Sequence, residues 1–98
     1  MEIKYKSRKL EKTLTIASLT QKQYGEEMAY KINQRLQEIR ASSSVEQMIQ
    51  YKIGRCHLLK GNRQNQFALD LIHPYRLVFE KIGNDIQIVK ILEVIDYH

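Results

Sequence analysis

Apolar side chains change their spacing near the middle of the chain. Before residue 54 they recur at intervals of three and four, and from Cys56 onward at every second position. The longest helical stripe is Tyr24, Met28, Ile32, Leu36 and Ile39, spaced 4, 4, 4 and 3. That spacing predicts one buried face on a helix of about five turns. Thr20 and Gln23 have capping-box spacing and Leu19 can staple to Tyr24, so the helix is predicted to begin near Thr20. Lys22, Lys31, Arg35 and Arg40 fall elsewhere around its axis, as a solvated face. A polar break follows at residues 41–44. Ser43 with Glu46 repeats the capping-box spacing and opens a short second helix carrying Val45, Met48 and Ile49, with Gly54 as its stop.

In the second half, residues 56–59 read as a short strand and 60–65 as a polar turn. Residues 66–72 place Phe67, Leu69 and Leu71 on one face. His73 and Pro74 turn the chain, and residues 75–82 place Tyr75, Leu77 and Phe79 on one face. Gly83, Asn84 and Asp85 turn it again. Residues 86–97 are apolar on both parities, Ile86, Ile88, Leu92 and Val94 against Val89, Ile91 and Ile95. Such a strand is buried on both faces and therefore central. Connections this short make the neighbours antiparallel. Near the start, Ile3 and Tyr5 alternate with Lys4 and Lys6, which suits an edge strand guarded by lysines. Residues 8–19 fit a short helix or a turn. The expected fold is α+β: an N-terminal helical hairpin packed on an antiparallel sheet of about four strands, in one domain spanning 1–98.

Composition narrows the class. A chain of 98 residues with 43% hydrophobic side chains has room for one core, and is too apolar for a disordered tail. No stretch approaches the roughly 20 apolar residues of a membrane span, and the charged N-terminus has no secretory apolar region. A soluble, cytoplasmic protein is expected. The single cysteine, Cys56, cannot form an internal disulfide. Sixteen Lys and Arg against 11 Asp and Glu leave a net charge of +5. That excess points to an anionic partner: nucleic acid, an acidic protein or a membrane surface.

Three places put polar groups beside apolar strand ends: His57 and Lys60, then Arg76, then Asp96, Tyr97 and His98. Singly, each has an ordinary reading. His57 is a strand-end histidine, Arg76 pairs with Glu80 or Asp70 across the sheet, and the last three residues are a solvated tail. Together they form a set suited to phosphodiester chemistry: a base for a hydroxyl, an acid for a leaving oxygen, and cations for a crowded phosphate. Cys56, His57, His73, Asp96 and His98 lack metal-ligand spacing, so no metal site is expected. Cys56 and His57 diverge in an extended chain, which argues against a cysteine nucleophile. No glycine-rich loop joins a strand to a helix, so nucleotide-binding folds are not indicated.

The segments CHLLKGNRQNQFALDL, YRLVFE and VIDYH, in that order over about residues 55–98, resemble HigB-type toxins of the RelE/ParE toxin–antitoxin superfamily. That family tends to show a His-x-x-Lys-Gly-x-Arg segment, a Trp- or Phe-bearing strand, an Arg-Leu-x-Phe strand and an Asp-Tyr-His ending. The resemblance implies a RelE-like fold and a ribosome-dependent mRNA endoribonuclease (an mRNA interferase) that inhibits translation and growth without metal or cofactor. It assigns His57 as base or phosphate ligand and Lys60 and Arg76 as cations on the pentavalent phosphate. Asp96, Tyr97 and His98 match the C-terminal catalytic group. Lys4, Lys6, Arg8, Lys9 and Arg63 are expected to meet ribosomal RNA phosphates. Expected partners are the ribosome with mRNA, and a HigA-type helix-turn-helix antitoxin through which alone the protein would reach operator DNA. Pro74 and Tyr75 depart from the family, which often has a turn followed by Trp there. The alternatives are a non-catalytic relative directed at DNA gyrase or a basic binding module, and a small metal-binding protein.

Overall fold

A computed structural model describes residues 1–96. Strand β1 (Glu2–Tyr5) opens the chain. Helices α1 (Arg8–Thr15), α2 (Ala17–Tyr24), α3 (Glu26–Ala41) and α4 (Val45–Gln50) follow. A 3-10 turn at Ile53–Arg55 leads into β2 (His57–Leu58), β3 (Gln66–Asp70), β4 (Tyr75–Ile82) and β5 (Ile88–Asp96).

The sheet has five strands in the order β1-β5-β4-β3-β2, and β1 joins β5 in parallel. It is therefore mixed, where the expectation is an antiparallel sheet of about four strands. The other neighbours are antiparallel, as their short connections require. The edge strand expected near the start is present as β1, and in place of the predicted helical hairpin three helices pack in succession behind it, α1 on α2 and α2 on α3.

Gly25 explains why the predicted helix from Thr20 is two helices. Its φ of +88° and ψ of 165° lie outside the range a side-chain-bearing residue takes readily. It ends α2, donating to Gln21 O, and starts α3, accepting from Ala29 N. Thr20 is not a cap. It is buried within α2, and its hydroxyl bonds the carbonyls of Thr13 (2.6 Å) and Ile16 (3.1 Å), fixing the angle between α1 and α2. The apolar stripe itself is as expected, since Met28, Ile32, Leu36 and Ile39 are all buried. Helix α4 is capped one residue later than predicted. Ser44 Oγ accepts from Gln47 N, and Gln47 Oε1 accepts from Ser43 N.

One face of the sheet carries the main core. Phe67 and Leu69 of β3, Leu77 and Phe79 of β4 and Val89 and Ile91 of β5 meet the stripe of α3. The Phe67 and Phe79 rings stack 5.4 Å apart. A bulge at Val78/Phe79 pairs Val78 with Glu93 and Phe79 with Ile91, which leaves Leu92 as the extra residue. The bulge regroups the predicted faces of β5. Val94 joins Val89 and Ile91 on the main core, while Leu92 and Ile95 join the opposite face. Ile86, expected in that strand, precedes it and is exposed.

Candidate functional site

The sheet face opposite the helices has a small apolar floor of Leu59, Ala68 and Val78, flanked by Leu92 and Ile95. Strand register determines which polar side chains surround it. His57 pairs with Ala68, Ala68 with Val78, and Asp70 with Arg76. Because side chains alternate, His57, Asp70 and Arg76 all lie on the face of Ala68 and Val78. His57 and Arg76 are two strands and two residues apart, a backbone separation of about 12 Å from standard sheet spacings. Long side chains can close on a phosphate between them.

Lys60 follows Leu59, and together with His57 and Leu58 the two line a shallow cleft of about 200 Å³. His57 Nδ1 lies 2.8 Å from Arg55 O. A carbonyl only accepts, so Nδ1 carries the hydrogen and the neutral ring keeps its free lone pair on Nε2.

Asp70 stands between two arginines. Arg55 Nε hydrogen-bonds Asp70 Oδ2, and Arg76 Nε lies 3.5 Å from Oδ1. The hydrogen bond from Arg55, and then the carboxylate's charge, raise the guanidinium's pKa above its ordinary value. Arg35 Nε donates to the carbonyl of Asp70 at 2.7 Å and its NH1 bonds Glu38, which ties α3 to the same residue. Asp70 was foreseeable as a cross-strand partner of Arg76. Arg55 was not, because it reaches the face only through left-handed backbone at Lys52 (φ 56°), Gly54 (φ 54°) and Arg55 itself (φ 50°). A side chain on Gly54 would also meet Arg35 Nε at 2.9 Å.

The remaining predicted residues divide by position. Lys4 is level with Lys90, on the open face beside the apolar floor. Lys6 and Lys9 line a separate cleft of about 380 Å³ with Tyr24, Leu92, Glu93 and Val94, and Arg8 is exposed at the start of α1. Arg63 is engaged with Glu93 Oε2 (3.1 Å) and Gln66 Oε1 (3.3 Å). Asp96 pairs with Tyr75 at the end of β5, one position beyond the Arg76–Ile95 pair. Tyr97 and His98 lie outside the described residues.

Cys56 is buried in the main core, and burial pushes its thiol up to about 12. Its neighbour His57 faces the other way, as expected of an extended segment. His73 precedes a cis peptide bond to Pro74 and lines a cleft with Tyr24 and Tyr75. Among the described residues no three His, Cys, Asp or Glu side chains gather as a metal site, and no helix is long and apolar enough to cross a membrane.

No protein-family model matches the chain, and no curated protein matches it. Solved structures do. A YoeB/ParE toxin from Agrobacterium tumefaciens superposes with a TM-score of 0.65 at 15% identity, covering 100% of this chain and 99% of the other. The YoeB-YefM complex from Staphylococcus aureus gives 0.63 at 23% identity, covering 100% and 97%. At these identities the likeness is one of fold: this chain folds as the YoeB/ParE toxins do.

Proposed function

We propose that the protein is the toxin of a toxin–antitoxin pair and cleaves mRNA on the ribosome, acting from the open face of its sheet. The observation that carries the reading is the shared placement of His57 and Arg76 on that face, with Lys60 in the cleft beside His57. A base and two cations around an apolar floor suit a single strand whose bases stack while its phosphate meets charge.

The chemistry follows from these groups. His57 Nε2 takes the proton of a ribose 2′-hydroxyl. The 2′-oxygen attacks the adjacent phosphorus, and the bond from phosphorus to the 5′-oxygen breaks. Arg76 and Lys60 stabilise the charge on the pentavalent phosphate. The leaving 5′-oxygen receives a proton from the C-terminal group, to which the resemblance assigns Asp96, Tyr97 and His98. Products are a 2′,3′-cyclic phosphate and a 5′-hydroxyl. No metal or cofactor enters these steps.

The ordered segments around His57, Arg76 and Asp96 favour the HigB-type branch, while the fold is shared more widely. A cognate antitoxin is the expected partner, and the Staphylococcus aureus neighbour is a complex, YoeB-YefM. We assign that partner to the HigA-type helix-turn-helix class, with operator DNA reached only through it. Lys4, Lys6, Arg8 and Lys9 lie on or near one end of the sheet and supply a salt-sensitive contact to ribosomal RNA. The place of action is the cytoplasm.

The test is induction in bacterial cells followed by mapping of mRNA ends. New ends within translated codons, lost on His57→Ala or His98→Ala substitution, are expected. Growth arrest with intact mRNA and damaged DNA would instead indicate a gyrase-directed protein.

A further inference from the structure

The geometry points to Asp70 as a positioning residue that couples the two halves of the proposed ribonuclease site. This inference rests on the reading above. His57 is held by the carbonyl of Arg55 (2.8 Å), the guanidinium of Arg55 is held by Asp70 Oδ2, and Asp70 Oδ1 faces Arg76 Nε (3.5 Å). One carboxylate therefore links the segment that orients the imidazole to the strand that presents the phosphate-binding cation. Asp70 is itself fixed from behind, because Arg35 on α3 grips its carbonyl at 2.7 Å and is only 12% exposed.

A guanidinium that must meet a crowded phosphate loses rate if it first has to be ordered. Asp70 Oδ1 is buried and lies 3.5 Å from Arg76 Nε, so its charge sets the orientation of the guanidinium at ion-pair range. Arg55 adopts a left-handed φ of 50°, uncommon for a side chain of its size, and the bond to Asp70 helps hold it there. Removing the carboxylate charge weakens the hydrogen bond that holds Arg55 and removes the ion pair with Arg76. Arg55 then no longer fixes the carbonyl that sets the His57 tautomer.

The experiment compares wild type, Asp70→Asn, Asp70→Glu, Arg76→Ala and the Asp70→Asn/Arg76→Ala double variant. Single-turnover cleavage of ribosome-bound mRNA is read alongside the NMR signals of the arginine Nε–H groups. Asp70→Asn should lower the maximal rate about 10- to 100-fold with the half-saturating concentration nearly unchanged. Asp70→Glu should recover part of that loss. In the Arg76→Ala background, Asp70→Asn should cost clearly less than it does alone. The Arg55 and Arg76 Nε–H signals should exchange faster with solvent in Asp70→Asn. Unchanged cleavage by Asp70→Asn, full additivity with Arg76→Ala, or unaltered Nε–H signals would overturn the positioning role. If wild type leaves mRNA intact, the ribonuclease reading fails, and the NMR comparison still decides whether Asp70 orders the two arginines.

Discussion

His57 donates its Nδ1–H to the carbonyl oxygen of Arg55 across 2.8 Å, which leaves Nε2 as the free lone pair of the neutral ring. The bond lies at the strand edge, away from the main core. Replacing His57 with Ala should lower the single-turnover cleavage rate by about 10²- to 10⁴-fold, the usual span for a lost general base. The melting temperature should stay close to wild type. A comparable rate in the variant would remove His57 from the reaction.

Helix α4 is tied to the β4–β5 turn by a buried glutamine. Gln87 Oε1 accepts from Val45 N, and its Nε2 donates to Glu46 Oε1 and to Asn84 O. The Gln87 hydrogen bond, and then that of Lys81, lower the Glu46 pKa from 4.5 to about 2. A carboxyl depressed in the folded state adds stability above its unfolded pKa and loses it as pH falls through the folded one. Urea unfolding should therefore show stability falling between pH 4.5 and 2. Glu46→Gln should flatten that part of the profile. An identical pH dependence in the variant would show that the network contributes nothing.

Gly25 isolates a conformational cost. A Cβ there meets nothing within 4 Å, so Gly25→Ala introduces no clash, only a residue forced to φ +88°. Destabilisation of about 1–3 kcal/mol is expected in denaturant titration. A neutral result would mean that the break between α2 and α3 readily adopts another geometry.

The Cys56 thiol is buried, and at about 12 its pKa keeps it protonated at neutral and mildly basic pH. Reaction with a disulfide reagent at pH 8 should be far slower in the folded protein than in urea. Equal rates would mean that this part of the core opens freely.

Much of the strand half was legible because alternation survives wherever one face is buried. Phe67, Leu69, Leu77 and Phe79 fall on the predicted face. The faces of β5 were not, because one extra residue at Leu92 reverses the parity beyond it, and a bulge has no mark in an apolar run. In the helical half the stripe from Met28 to Ile39 was readable, but its N-terminal boundary was not. Gly25 is a single letter within a helical pattern, and its meaning depends on φ. The parallel pairing of β1 with β5 joins residues nearly 90 apart in sequence, a relationship that local patterns do not carry. Of the candidate site, His57 and Arg76 could be named from their segments. Arg55 could not, since three left-handed residues deliver it to Asp70.

The most direct measurement is the chemistry of the ends left on a defined mRNA after incubation of the purified protein with programmed ribosomes. Fragments bearing a 5′-hydroxyl and a 2′,3′-cyclic phosphate are predicted for wild type, and their loss is predicted for His57→Ala and Arg76→Ala. Intact message with wild type, or the same fragments from both variants, would contradict the account.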